Sequence, residues 1–154
     1  MKRVVSFLLS IMTFVFSCVA FSGCMLFTRF GPDPEPSEVV YTVTKTERRV
    51  EIYIEELNKE NLMLIDVMEW AKEMGELVYE ISGGMVTSIE GLANTPDFQS
   101  CWMLYTSDEE MANAEWGTIM VGEETLGSAI VGAETLPVMA GEKYVWDYFT
   151  FWDY

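Results

Sequence analysis

Five aromatic side chains between residues 102 and 148 are the groups in this 154-residue chain best suited to hold a ligand. They are Trp102, Tyr105, Trp116, Trp146 and Tyr148. Aromatic rings offer a large contact area at low entropic cost, which suits capture of a flat or amphipathic molecule. The same rings would also fill the core of a small domain, which needs bulky residues to bury enough area. Both roles fit the sequence, and ligand binding is favoured only for Trp116, which lies in a predicted loop.

The other reactive side chains argue against catalysis. The chain contains no histidine, which excludes Ser-His-Asp and Cys-His catalysis and histidine-ligated zinc. No pair among the acidic residues stands out at a spacing that places both carboxylates on one face. The runs Asp108-Glu109-Glu110 and Glu123-Glu124 are predicted to be solvated surface rather than Ca²⁺ ligands, because consecutive strand residues point to opposite faces and no EF-hand spacing is present. We therefore predict a protein that is not an enzyme and has no metal site.

The charge of the chain also restricts its partners. The formal net charge is −16, and after Lys72 the only basic residue is Lys143. An acidic surface of this kind repels nucleic-acid phosphates and anionic lipid headgroups, since both require a basic face. Nucleic acid is therefore excluded as a predicted partner.

Residues 1–23 are predicted to be a lipoprotein signal peptide. A basic start, Lys2-Arg3, precedes an uncharged apolar run, Val4–Ala20. The run ends in Phe21-Ser22-Gly23-Cys24, which resembles the lipobox of bacterial lipoproteins, although Phe21 stands where that family usually has leucine. The small residues before the cysteine would let the peptidase approach the backbone, and Cys24 would then be acylated.

The alternative to a lipid anchor is an uncleaved transmembrane segment, for which the apolar run is slightly short of the roughly 20 residues that span a bilayer. Either outcome leaves the rest of the chain outside the cytoplasm. We predict a protein anchored in the cell membrane through lipidated Cys24, on the extracellular face. Residues 24–38 alternate three prolines with acidic residues, which predicts an extended stalk. Cys101 would then be the only remaining thiol, and it is predicted to be a small buried apolar residue.

Residues 39–154 are predicted to form one β-rich domain with a single helix. An apolar stripe at helical spacing predicts a helix over Leu64–Met74, with Gly75 suited to end it. Asp108–Trp116 is predicted to be a loop or a short helical turn. Period-2 alternation and turn residues predict the strands, which are Val39–Lys45, Val50–Glu55, Leu77–Ile81, Met85–Ile89, Trp102–Tyr105 and Lys143–Tyr154.

A set of short motifs then resembles the transcobalamin-like C-terminal domain family over roughly residues 50–150. The motifs are Gly84 with Thr87-Ser88-Ile89-x-Gly91, the strand Trp102-Met103-Leu104-Tyr105, and Gly141-Glu142 before the final aromatic strand. The resemblance implies an α+β fold, a small β-grasp-like mixed sheet with one helix packed across it. It also implies that the strand containing Trp102, Leu104 and Tyr105 faces a corrinoid ligand.

Two functions follow from these observations. The first is a membrane-anchored extracellular module that binds cobalamin, another corrinoid or a different small amphipathic ligand through Trp102, Leu104, Tyr105 and Trp116, with no other cofactor. The second is a cell-surface interaction or adhesion module that docks a protein partner through an exposed strand edge or its aromatic tail. Aromatic residues that line a concave pocket would favour the first function, and a flat apolar patch would favour the second.

Overall fold

The computed structural model describes residues 38–151, so the predicted signal peptide, Cys24 and nearly all of the predicted stalk lie outside the described part. The described part contains nine strands and one helix. They are β1 (Val39–Lys45), β2 (Arg49–Leu57), α1 (Leu64–Glu73), β3 (Tyr79–Ser82), β4 (Met85–Ile89), β5 (Leu92–Ala93), β6 (Ser100–Thr106), β7 (Ala112–Val121), β8 (Glu124–Ala129) and β9 (Lys143–Thr150).

The main layer is a six-stranded sheet in the order β1-β2-β9-β6-β8-β7, in which every pair is antiparallel. The last strand of the sequence, β9, lies in the middle of this sheet between β2 and β6. A second antiparallel sheet has the order β3-β4-β5. Helix α1 and this small sheet share one apolar core with alternate residues of the main sheet, among them Ile52, Trp102 and Tyr144.

The predicted α+β fold, a β-grasp-like mixed sheet, is wrong. The described residues are 53% strand and 9% helix, and they form a β-sandwich-like arrangement of antiparallel strands. A mixed sheet needs a parallel pair of strands, and such a pair needs a crossover connection that is usually a helix. Helix α1 does not make that crossover, because it leads from β2 in the main sheet to β3 in the separate small sheet.

The hairpin of β7 and β8 forms a second core on the opposite face of the main sheet. Strand β8 pairs with β6 only at Tyr105–Ser128 and Thr106–Gly127. The hairpin then packs on the sheet through a cluster that contains Tyr105, Val121, Leu126 and Val145. Arg49 of β2 donates to the Met120 carbonyl near the hairpin turn at 2.9 Å and to the Asp147 carboxylate at 2.7 Å. These contacts fix the hairpin turn against β2 and β9.

This hairpin departs from the sequence prediction. The segment predicted to be a loop or helical turn, Asp108–Trp116, contains the first half of β7. Residues 121–126 and 131–136 are two similar hexapeptides, VGEETL and VGAETL, and they adopt different structures. Residues 121–126 span the turn between β7 and β8, whereas residues 131–136 form a loop against the start of α1.

The first turn of α1 is held by that loop. The Leu64 N–H donates to the Leu136 carbonyl at 2.8 Å, and the Ile65 N–H donates to the Ala133 carbonyl at 3.0 Å. The first N–H groups of a helix have no partner within it, so these contacts satisfy donors that would otherwise be open. Within residues 38–151, no helix combines the length and apolar character needed to cross a membrane.

Candidate functional site

Trp102, the central residue of the predicted ligand site, is part of the main core. Its side chain is only 5% exposed. The indole N–H donates to the Leu92 carbonyl at 2.7 Å, and the backbone N–H donates to the Asn94 side-chain oxygen at 2.9 Å. The indole also meets the Tyr148 ring edge-on, with ring centres 5.2 Å apart and planes at 67°. Trp102 therefore joins the small sheet to the main sheet.

Leu104 and Tyr105 lie on opposite faces of β6, because successive strand residues point to opposite sides. Leu104 is 7% exposed and belongs to the core beneath α1, whereas Tyr105 is 4% exposed and belongs to the core beneath the β7–β8 hairpin. Two different layers of the protein cover these side chains. They do not meet at one surface.

Trp116 is the exposed member of the predicted set, with 63% of its surface accessible. It stands on β7 within an irregular stretch, where the pairing register with β8 shifts between Asn113 and Thr118. The following residue, Gly117, has a φ of 137°, a backbone conformation that side-chain-bearing residues rarely adopt. Trp116 is exposed whereas Trp102, Leu104 and Tyr105 are buried, and these three are divided between two cores, so the four residues do not form one exposed ligand site.

The remaining predicted aromatic residues also serve the fold. Trp146 is 5% exposed in the main core. The Tyr148 hydroxyl donates to the Ala93 carbonyl at 2.8 Å, and the Arg48 guanidinium lies 5.6 Å from the centre of its ring. Cys101 is buried as predicted, and burial raises the pKa of its thiol. A raised pKa disfavours the thiolate, which is the nucleophilic form.

Protein-family models, curated proteins and solved structures give no match to this chain. The transcobalamin-like resemblance therefore stays a prediction.

An acidic cleft of about 640 Å³ lies beside the start of β9. Its charged lining comes from residues that follow β6, begin β8 or precede β9, namely Asp108, Glu109, Glu110, Glu124 and Glu142. Lys143 partly neutralises this charge, since its ammonium lies 2.5 Å from Glu124 and this hydrogen bond raises the lysine pKa. Among residues 38–151, no three acidic or cysteine side chains are arranged to hold a metal ion.

A second surface feature, which we name the β1 groove, runs along the edge of the main sheet. It consists of two adjoining hollows of about 280 and 400 Å³ that share Tyr41. Its lining residues come from β1 and its flank, from α1 and from the turn after α1, and they are Glu38, Val39, Tyr41, Thr42, Val43, Lys45, Trp70 and Glu76. Tyr41 and Val43 are half-buried against the main core.

Tyr41 lies in the middle of the β1 groove, where Glu76 also contributes to the lining. Burial of the ring, together with the charge of Glu76 and a side-chain hydrogen bond to it, raises the pKa of the Tyr41 hydroxyl. Sequence reasoning missed this groove, because Trp70 and Glu76 belong to elements that only the fold brings beside β1. The available signal was the uncharged, β-branched run Val39–Thr44, which the sequence assigned to a half-buried strand without showing that the strand lies at an edge.

Proposed function

We propose that this chain is a membrane-anchored extracellular module that binds a protein partner and is not an enzyme. The observation that carries the proposal is the position of Trp102, buried and hydrogen-bonded to Leu92. A side chain used in this way holds two sheets together and is not free to enclose a small molecule. The small-ligand function, including corrinoid binding, consequently loses the support that the aromatic strand gave it.

The exposed apolar residues favour a partner with a broad surface. Trp116 and Met120 are exposed on β7, Phe98 is exposed just before β6, and Phe151 is exposed just after β9. Tryptophan is enriched among the residues that contribute most to protein–protein binding. Such side chains, spread over the surface rather than gathered in one enclosed cavity, suit contacts with another protein.

The proposal is tested with photo-cross-linking amino acids placed one at a time at exposed positions of the full chain, on the cells that produce it. Suitable positions on different surfaces are Thr42, Phe98, Trp116 and Glu109. We expect a discrete protein adduct from one surface and none from the others. In a parallel experiment, metabolic labelling with palmitate is expected to mark the full chain, and Cys24→Ala is expected to abolish the label.

The competing function is tested by titrating the full chain with cobalamin and cobinamide while tryptophan fluorescence is measured. An unrelated coloured compound of matched absorbance corrects for absorbed light. Saturable quenching in the micromolar range, together with no protein adduct at any position, would overturn the proposal in favour of ligand capture. An adduct without saturable quenching would support it.

A further inference from the structure

We propose that the free edge of β1 is the docking site, and that it takes an extended, cationic segment of the partner as an added β-strand. This inference rests on the proposed function, because it locates the surface through which that function would operate. Strand addition at a sheet edge is a common way to recognise an extended peptide, with main-chain hydrogen bonds providing affinity and side-chain pockets providing specificity.

The backbone of β1 is available for such pairing. Among residues 38–151, strand β1 lies at the end of the sheet order and pairs only with β2. The Thr46 N–H donates to the Arg49 carbonyl at 2.8 Å across the turn that connects β1 to β2. This bond shows which residues of β1 form hydrogen-bonded pairs with β2. Because hydrogen-bonded and non-hydrogen-bonded pairs alternate, the N–H and C=O groups of Tyr41, Val43 and Lys45 point away from β2.

The hydrogen bonds of Ile54 in β2 support this assignment of the β1 backbone groups. Ile54 lies opposite Tyr41, and both its backbone groups bond on the side away from β1. Its N–H donates to the Glu142 carbonyl at 3.0 Å, and its carbonyl accepts from the Gly141 N–H at 2.8 Å. Tyr41 and Ile54 therefore form a non-hydrogen-bonded pair, and the backbone groups of Tyr41 face the open edge.

The edge of β1 also lacks most of the features that usually prevent pairing. Edge strands are commonly protected by charges, prolines or bulges. The run Val39–Thr44 contains neither a charge nor a proline. Its one irregularity lies between Val40 and Tyr41, which leaves residues 41–45 regular. Strand β7, at the other end of the sheet, is interrupted by its register shift and contains Glu115 and Gly117.

The β1 groove would receive alternate side chains of the added strand. The residues whose backbone groups point outward include Tyr41 and Val43, whose side chains also line the groove. Every second residue of a neighbouring strand points to the same face of the sheet. One set of partner side chains would therefore pack beside Tyr41 and Val43 and towards Trp70.

Charge favours a cationic segment over a second copy of this chain. Glu38 and Glu76 line the two hollows of the groove. Glu38 is paired with Lys59 at 2.5 Å and the groove's lysine, Lys45, is paired with Glu90 at 3.0 Å, so Glu76 supplies the remaining charge of the lining. The whole chain has a formal charge of −16, so two copies would repel each other. A partner strand containing lysine or arginine would instead be electrostatically complementary.

The test uses the full chain in neutral detergent and a fluorescent peptide of alternating lysine and valine, about eight residues long so that it spans β1. Binding is measured by fluorescence anisotropy at low salt. The comparison peptides are an alternating glutamate–valine peptide and a copy of the basic peptide methylated on every second backbone nitrogen. We expect the basic peptide to bind in the micromolar range, and each comparison peptide to bind at least about tenfold more weakly.

Protein variants locate the site. Val43→Pro removes an N–H that β2 does not use, so it should block the added strand while the β1–β2 ladder remains. We expect it to weaken binding of the basic peptide by about tenfold. Glu76→Gln should weaken binding by a smaller factor that disappears at high salt. Thr44→Ala, at an exposed position of β1 outside the lining of the groove, is the matched control and should leave binding unchanged.

The results separate this inference from the proposed function. Equal binding of basic and acidic peptides would overturn the partner chemistry. Basic-peptide binding that tolerates backbone methylation would overturn strand addition at β1, and this readout does not depend on whether Val43→Pro folds. Cross-linked protein from Phe98 or Trp116 but not from Thr42 would overturn the β1 site and leave the proposed function in place.

Discussion

Trp102→Ala is expected to destabilise the protein by about 3–5 kcal/mol, the range for removing a large aromatic side chain from a packed core. The 5% exposure of Trp102 places it in that range. Part of the loss is the edge-on contact with Tyr148 at 5.2 Å, since such aromatic pairs contribute about 0.5–1.5 kcal/mol beyond their buried area. The remainder comes from lost burial and from the cavity left behind.

Trp102→Phe separates the ring from its hydrogen bond. In the wild type, the Leu92 carbonyl accepts from the indole N–H at 2.7 Å. Phenylalanine keeps an aromatic ring in the core but leaves this carbonyl without its donor. An unsatisfied buried polar group costs about 1–3 kcal/mol. We therefore expect this variant to lie between the wild type and Trp102→Ala.

Urea unfolding followed by circular dichroism measures these differences as shifts in midpoint at constant slope. Trp116→Ala is the matched control, because its side chain is 63% exposed and surface substitutions usually change stability by less than about 0.5 kcal/mol. If Trp102→Ala lowered the free energy of unfolding no more than Trp116→Ala does, Trp102 would not be a core residue. The prediction that it contacts a ligand would then stand again.

Three further predictions concern the contacts that position the layers. Asn94→Ala should cost about 1–3 kcal/mol in the same urea assay, because the Asn94 side chain accepts from the Trp102 N–H at 2.9 Å and donates to the Val86 carbonyl at 3.0 Å; a cost no larger than that of Trp116→Ala would contradict this role. Arg49→Ala should cost about 1 kcal/mol and should increase amide hydrogen exchange in the β7–β8 hairpin more than in α1, and equal exchange in both would contradict the proposed role of Arg49 in fixing the hairpin. Burial raises the pKa of Tyr144 to about 12, so the folded state keeps a proton that the unfolded state releases near pH 10. The resulting stabilisation is complete below pH 10 and is lost as the pH rises towards 12, and unfolding curves across that range should show the loss.

Local structure was predictable where a single element determines it. The sequence predicted β1 and β4 with their observed bounds and α1 to within one residue, because alternation and helical spacing are properties of a few consecutive side chains. The β7–β8 hairpin was missed because Asp108–Trp116 is rich in Asp, Glu, Asn and Ala, which are depleted in strands, and because its packing depends on residues such as Tyr105 and Val145 that lie far away in the sequence. The predicted β-grasp-like mixed sheet was wrong for the same reason, because strand pairing is set by contacts between distant residues.

The candidate site was less predictable than the fold. Sequence alone identified Trp102 as important but could not distinguish a core tryptophan from a ligand contact, since the deciding contacts, to Leu92 and Tyr148, depend on how strands pair. The β1 groove was beyond sequence reasoning because Trp70 and Glu76 become neighbours of Tyr41 only after α1 packs on the sheet.

The central place of β9 has a consequence for how the protein acquires its structure. Within residues 38–151, strands β2 and β6 are joined only through β9, and the first turn of α1 depends on the carbonyls of Ala133 and Leu136. The main sheet therefore cannot close until β9 has left the ribosome, and such long-range pairing is intrinsically slow. A chain that carries the predicted export signal would meet the translocation machinery before it can fold. Copies truncated before Lys143 would lack the strand that unites the two halves of the sheet and would remain open to proteolysis.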